Sequence, residues 1–395
     1  MLISETNMIL VTRFIILVSV FCTTCVENVA ASPYVKWKNG PSQNADFFPI
    51  AVWLQSPGKA DKYREAGFNT YVGLWKGPTE KQLAELKKAG IKVICHQNEV
   101  GLRHIDDPTI IGWMHGDEPD NAQSLGKGKG YGPPILPGKI IDDYHKIRRA
   151  DPSRPVLLNL GQGVAWDRWH GRGVRTNHPE DYPEYIKGCD IASFDIYPAV
   201  HDKSEVAGNL WFVAKGVERL VEWTEGKKVV WNCIECTRIG NPKRKATPQQ
   251  VRCEVWMSII HGSMGLIYFV HEWQPRFNES ALLSDSAMLS AVTAINRQII
   301  ELAPVLNSPA IDNAAGVSSS NEAVPIATMV KKHDGAMYLF AVAMRGDKTT
   351  ATFTMQHAES IKTVEVIGVN RTIVLNDGVF KDDFEAWGVH LYRTK

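Results

Sequence analysis

The sequence predicts a (β/α)8 barrel followed by a small C-terminal antiparallel β-sandwich. Three observations carry that expectation. Eight short apolar runs alternate with segments of helical periodicity over most of the 395 residues, as repeated βα units require. No glycine fingerprint follows the first run, which an open doubly wound sheet binding a dinucleotide would want. Near Pro304 the texture changes to short alternating runs separated by turn pairs such as Asp334-Gly335 and Asp377-Gly378, the pattern of hairpins.

Strands are expected at residues 48–54, 70–74, 92–96, 110–115, 155–160, 191–196, 228–234 and 265–270. The segment 79–89 has a Thr79 cap, apolar Leu83 and Leu86, and a stop at Gly90, which together define a short amphipathic helix. Further helices are expected at 140–150, 209–225, 247–261 and 282–302. On this reading the barrel spans 32–305, a small polar linker 306–322, and the sandwich 323–395. Sandwich strands are expected at 326–331, 337–344, 350–355, 363–368 and 389–392. Two long loops follow strands four and five, at 124–138 and 164–185. The first contains Gly126-Lys127-Gly128-Lys129-Gly130 but lacks the Gly-Lys-Ser/Thr ending of a phosphate loop. The second carries Trp166, Trp169, His170, Arg172, Arg175 and His178. Loops after strands line the active face of a barrel, so both should border its cleft. For these arginines and tryptophans a solvated loop outweighs a uronate or sulfate site.

Lys plus Arg total 44 against 43 Asp plus Glu, so charge gives no case for nucleic acid or an acidic membrane surface as partner. Arg13 precedes the apolar run 14–22, and Val29-Ala30-Ala31 follows. That is the layout of a secretory signal over residues 1–31, with export to the periplasm or medium. The run is too short to span a bilayer, and no later segment is long enough, so no membrane insertion is expected after cleavage. The remaining cysteines are Cys95, Cys189, Cys233, Cys236 and Cys253, an odd number that is no disulfide framework. One bridge, such as Cys236 to Cys253, is compatible with the spacing. Cys233-x-x-Cys236 has no second pair at ligand spacing, so no metal is expected. The 12 tryptophans suit sugar stacking and barrel packing about equally.

Two glutamates stand where apolar strands run out. Glu118 follows Ile110-Ile111-Gly112-Trp113-Met114-His115-Gly116-Asp117 and precedes Pro119; Glu235 closes Lys228-Val229-Val230-Trp231-Asn232-Cys233-Ile234. Strand counting puts them at the mouth of one barrel, on strands four and seven. Paired carboxylates are what glycosidic bond cleavage requires. Over roughly residues 48–302 this arrangement resembles the retaining glycoside hydrolases of clan A. The resemblance implies Glu118 as acid/base, Glu235 as nucleophile, a glycosyl-enzyme intermediate and no cofactor. It also implies an aromatic floor after strand eight, matched by Trp273 in Val270-His271-Glu272-Trp273.

The chain departs from that pattern at Asp117, where the clan usually has Asn. A negative charge there would raise the pKa of Glu118. Asp117-Glu118 also resembles the pair of substrate-assisted hexosaminidases, in which Asp steadies an acetamido group acting as nucleophile.

Each residue also has a structural reading. Asp117 and Pro119 suit the start of a helix. Glu235 is harder to explain that way, because a carboxylate closing an apolar strand needs a partner. Tyr197, ending strand six, either hydrogen-bonds the nucleophile or packs. Asp195 beside it reads as a buried, paired carboxylate. His96 and His115 are candidate sugar contacts set against satisfied core histidines, and Trp53 is a further candidate contact. The sequence thus points to a secreted glycosidase acting on a poly- or oligosaccharide. The alternatives are a non-catalytic carbohydrate-binding barrel and another chemistry on the same scaffold.

Overall fold

The computed structural model of the protein describes residues 32–356 and 361–395; the expected signal segment lies outside the described residues. Parallel strands β1 (Ile50–Trp53), β2 (Thr70–Val72), β3 (Lys92–His96), β4 (Ile110–Met114), β5 (Val156–Leu160), β6 (Ile191–Phe194), β7 (Val229–Val230), β8 (Asn232–Glu235) and β9 (Leu266–Phe269) form one sheet. Their order is β7-β6-β5-β4-β3-β2-β1-β9-β8. β7 and β8 are two halves of the seventh barrel strand, parted at Trp231: β7 pairs with β6, and β8 with β9. The ring therefore closes through one strand whose halves serve different neighbours. All eight expected strands form, and the break at Trp231 is the feature their apolar pattern did not announce.

Eight helices cover the barrel among the described residues: α1 (Ala60–Glu65), α2 (Glu80–Ala89), α3 (Glu99–Arg103), α4 (Pro137–Ala150), α5 (Tyr182–Tyr185), α6 (Trp211–Trp223), α7 (Pro248–Ile260) and α8 (Ser286–Leu306). Thr79 and Thr247 cap α2 and α7 through reciprocal bonds with Gln82 and Gln250, satisfying donors that a helix start leaves open. α2 ends at Gly90, whose φ of 70° suits a residue without Cβ. α1, α3 and α5 were not expected, being too short to show a period. α8 continues past the expected end through Pro304 to Leu306. Proline in a last turn removes one donor, and the Asn307 N–H closes that turn on the Ala303 carbonyl at 2.9 Å.

Inward side chains including Ala51, Val72, Ile94, Leu157, Trp231 and Ile267 fill the barrel. Tyr34 closes its lower end, donating to the Met264 carbonyl at 3.1 Å and accepting from the Trp231 indole at 2.9 Å. Trp53 belongs to this filling, with only 5% of its surface exposed. Alternation along β1 turns it inward, into a cluster against which Tyr197 and Phe269 also pack.

The C-terminal unit contains β10 (Ala315–Ser319), β11 (Ile326–His333), β12 (Ala336–Ala343), β13 (Thr349–Met355), β14 (Thr363–Val366), β15 (Arg371–Val374), β16 (Val379–Phe384) and β17 (Val389–Thr394). Sheets β10-β13-β16 and β11-β12-β17-β14-β15 enclose a core that includes Phe353, Phe380 and Tyr392. The expected linker is largely structured: it holds the end of α8 and all of β10, an edge strand paired with β13. Its small polar composition hid that strand; β15 and β16 were not expected either. The five cysteines are buried and free. The suggested Cys236–Cys253 bridge is absent; those thiols face the carbonyls of Phe269 at 3.4 Å and Ala343 at 3.8 Å.

Trp256 of α7 stacks on Phe340 of β12, centroids 5.4 Å apart, with both side chains fully buried. Sandwich and barrel thus share one apolar seam. Phe340→Ala should cost about 3–5 kcal/mol and lower a single cooperative unfolding transition in urea. Two separate transitions in the parent protein would contradict a shared seam.

Candidate active site

After β4 the chain turns through His115-Gly116-Asp117-Glu118-Pro119 at the C-terminal mouth of the barrel. Glu118 adopts φ 43°, the left-handed region that side chains with a Cβ avoid. Two backbone bonds hold it there: its N–H donates to the Asn159 carbonyl at 3.1 Å, and its carbonyl accepts from Asn121 at 3.0 Å. Asp120 anchors the turn from below, accepting from the Gly161 N–H and the Tyr182 hydroxyl, each at 2.9 Å, with Arg172 at 3.9 Å. No helix begins here, since α4 starts only at Pro137, and the helix-start reading of Asp117 and Pro119 is set aside.

Three acids meet at this point. Burial pushes Glu118 up to about 8, with the charges of Asp117 and Asp120 adding to it. Burial likewise raises Asp117 to about 6, opposed chiefly by the Asn159 amide, which donates to Oδ1 at 3.0 Å. Asp195 is held well above the usual carboxylate range by burial and then by the charge of Glu118. It also accepts from the Tyr197 hydroxyl at 3.3 Å. Asp117 keeps solvent exposure although protein surrounds it on most sides, which places it at the floor of an open concavity. Adjacent carboxyls cannot all ionise. At neutral pH Asp117 is mostly charged while Glu118 mostly keeps its proton.

Glu235 has partners of its own. Its carboxylate is fully buried and accepts from the backbone N–H groups of Ala199 at 2.6 Å and Val200 at 3.0 Å. It faces Glu254 of α7, whose two oxygens find no other partner. The structure therefore groups Glu118 with Asp117, Asp195 and Tyr197, and groups Glu235 with Glu254. The reason is local. Glu235 is in register with Phe269, but the loop after β6 folds over it and supplies two donors to a strand-end carboxylate.

The other candidates divide. His115 is buried, its Nε2 paired with the Gly188 carbonyl at 2.8 Å, and burial lowers its pKa; it belongs to the packing outside the mouth. His96 is exposed, with Nδ1 3.3 Å from the Met114 carbonyl. Trp273 lies beyond β9, 45% exposed and stacked over Phe269 at 5.6 Å, an open indole face at the rim. Asp195 is buried as expected but only half paired, Oδ2 accepting from Tyr197 and Oδ1 finding no partner. Arg172 is neither solvated nor open to a ligand: it is buried, bonds Asp181 at 2.7 Å and lies over the Tyr182 ring. Asn159 and Asn121 were missed, and Trp169, read as a solvated loop residue, is half-buried. Trp169 donates its indole N–H to Asn121 at 2.8 Å, and Asn159 orients Asp117. The available signal was one polar residue interrupting the apolar strand Val156-Leu157-Leu158-Asn159-Leu160.

Beside the acids runs a groove of about 670 Å³, bordered by Trp169, Tyr197, His201 and Lys203 among others. Among the described residues no group of His, Cys, Asp and Glu could hold a metal ion. No helix there is long and apolar enough to cross a membrane.

The Glu235–Glu254 pair makes stability depend on pH. Burial raises Glu235 from 4.5 to about 8 and Glu254 in the same direction. Carboxyls with raised folded-state pKa contribute stability that is fully present below their unfolded value and lost as pH climbs toward the folded one. The melting temperature should therefore fall between about pH 5 and pH 8. Glu254→Gln, which removes one acid and supplies a donor, should flatten that fall; an unchanged slope would show that the pair is not the source.

No protein-family model matches the chain, and no curated protein matches it. Solved structures do. An Anoxybacillus α-amylase aligns with a TM-score of 0.56 at 11% identity, covering 89% of this chain and 99% of its own. The α-amylase of Geobacillus thermoleovorans, complexed with acarbose, gives 0.53 at 11% identity over 89% and 98%. A putative α-galactosidase from Bacteroides fragilis gives 0.50 at 10% identity over 89% and 79%. At such identities the likeness is one of fold: the chain is a (β/α)8 barrel with a C-terminal β-sandwich, built like these proteins.

Proposed function

We propose that the protein is a glycoside hydrolase whose acid catalyst is Glu118. The observation that carries this is a glutamic acid on a strained turn at the barrel mouth, its pKa pushed up by burial and by the solvent-reachable Asp117 beside it. A protonated carboxyl so placed can give its proton to a glycosidic oxygen as the bond to the anomeric carbon breaks. The α-amylase and α-galactosidase likeness makes a sugar substrate the first class to test, and an exported protein would meet polysaccharide outside the cell.

The second role falls most simply to Asp117. Its charge faces the cleft, where it can orient an acetamido group of the substrate. The acetamido oxygen then bonds the anomeric carbon while Glu118 protonates the leaving group. Water, giving a proton back to Glu118, opens that ring and adds hydroxyl to the anomeric carbon. Glu235 has a positioning role here, holding residues 198–201. A second reading keeps Glu235 as nucleophile of a double displacement. Its place at the end of the seventh strand, in register with Phe269, favours it, but the loop covering it would have to move away.

Aryl N-acetylhexosaminides and aryl hexosides, assayed with Glu118→Gln, Asp117→Asn and Glu235→Gln, decide between the readings. Glu118→Gln should lower kcat by roughly 10²–10⁴. In the parent enzyme activity should decline as pH passes about 8, where Glu118 loses its proton. Asp117→Asn should impair the acetamido substrates, with Glu235→Gln much milder. A covalent glycosyl adduct on Glu235 would select double displacement, and undiminished turnover by Glu118→Gln would defeat both.

A further inference from the structure

Three loops wall the groove beside Glu118: one after β5 bearing Trp169, one after β6 bearing Tyr197 to Lys203, and one after β8 bearing Ile239 to Arg244. They are tied together before any ligand arrives. Asn241 donates to the Val200 carbonyl at 2.6 Å, Arg244 to the His201 carbonyl at 2.8 Å, and the His201 ring meets Gln162 at 2.9 Å. Glu235 clamps the same segment through Ala199 and Val200. The wall is rigid and its shape is set.

Its charge is one-sided. Lys203, Lys243 and Arg244 line it, and its single acid, Asp202, lies 3.7 Å from the His201 ring. Among the described residues neither Lys203 nor Lys243 has an acidic partner. In a chain of formal net charge +1, two exposed lysines left unpaired on one preformed wall form a local positive field. The opposite end of the cleft is acidic, with Asp117, Glu118 and Asp195. Tyr197 belongs to both ends, lining the groove while donating to Asp195. Trp169 does the same through Asn121. Both rings are half-buried, the indole packed beside His170 and the phenol beside Phe269, and the volume suits a bound small ligand.

We propose that this groove is a subsite for an anionic sugar, its carboxylate or sulfate held by Lys203, Lys243 and Arg244 and its ring against Trp169. An uncharged sugar would then lie over the acids, where the charge of Asp117 would repel an anion. The substrate class is thus an acidic glycan in which charged and uncharged residues adjoin. This rests on the glycosidase reading only for the identity of the ligand as a sugar.

The test separates binding from turnover. Full-length Glu118→Gln protein is titrated calorimetrically with size-matched neutral, uronate-bearing and sulfated oligosaccharides. The anionic ligands should bind at least about tenfold more tightly than the neutral one. Salt at about 1 M, where screening extends only about 3 Å, should erase the difference. Adding Lys203→Ala and Lys243→Ala should remove the preference without altering the melting temperature, since both side chains are exposed, and the paired Arg replacements should retain it. Whether the uronate or the sulfate arm binds identifies the anion. Equal affinity for neutral and anionic ligands, or a preference untouched by the lysine changes, overturns the proposal. So does failure of every anionic ligand to bind while the parent enzyme still cleaves neutral glycosides, an outcome that leaves Glu118 as acid intact.

Discussion

A carboxylate that never meets solvent sets the geometry of the barrel mouth. Asp120 is fully buried and joins three separate segments: Gly161 at the end of β5, Tyr182 in α5, and Arg172 in the loop between them. Burying a charge is costly unless hydrogen bonds and a counter-charge replace water, and here both are present. The bonds keep the preceding residue pair in a turn that would otherwise relax, so Glu118 stays in its left-handed conformation. The same charge also helps raise the Glu118 pKa. One buried group thus supplies both the position and the protonation state of the candidate acid.

The molecule contains two clusters of carboxyls with similar shifts and different consequences. In the first, Asp117 is exposed and Glu118 half-buried, so a substrate can reach the proton. In the second, Glu235 and Glu254 are sealed between β8 and α7, and their proton stays inside the protein. Direction of shift alone does not distinguish a reactive acid from a structural one; access to the cleft does. The backbone donors at Ala199 and Val200 convert a strand-end glutamate into a clamp on the neighbouring loop.

Much of the fold was legible because the barrel repeats one simple pattern. Eight apolar runs of the right length, with Thr79 and Thr247 starting two of the helices between them, specify parallel strands with little ambiguity. Glu118 was legible because the strand before it stops cleanly and Asp117 follows a glycine. Glu235 was legible as a strand-end carboxylate needing a partner, but the partner came from loop backbone, which carries no residue-type signal. His115 was misplaced for a related reason. Near a strand end, one residue's shift in phase decides between cleft and packing, and the sequence period is too short there to resolve it. β10 was invisible because an edge strand of small polar residues matches a linker in composition. The groove arose from contacts among three loops distant in sequence, so no local motif could reveal it.

Helix α7 is apolar on nearly every side because it is enclosed rather than set on a surface. Its Trp256 lies against Phe340 of the sandwich, while Glu254, two residues earlier, faces Glu235 and through it the wall of the groove. The C-terminal domain is therefore a buttress and not a passenger. The contacts run in series: β12 packs on the helix, the helix carries Glu254 against Glu235, and Glu235 bonds the backbone of Ala199 and Val200. A barrel cut free of this domain would leave Trp256 without the ring it stacks on.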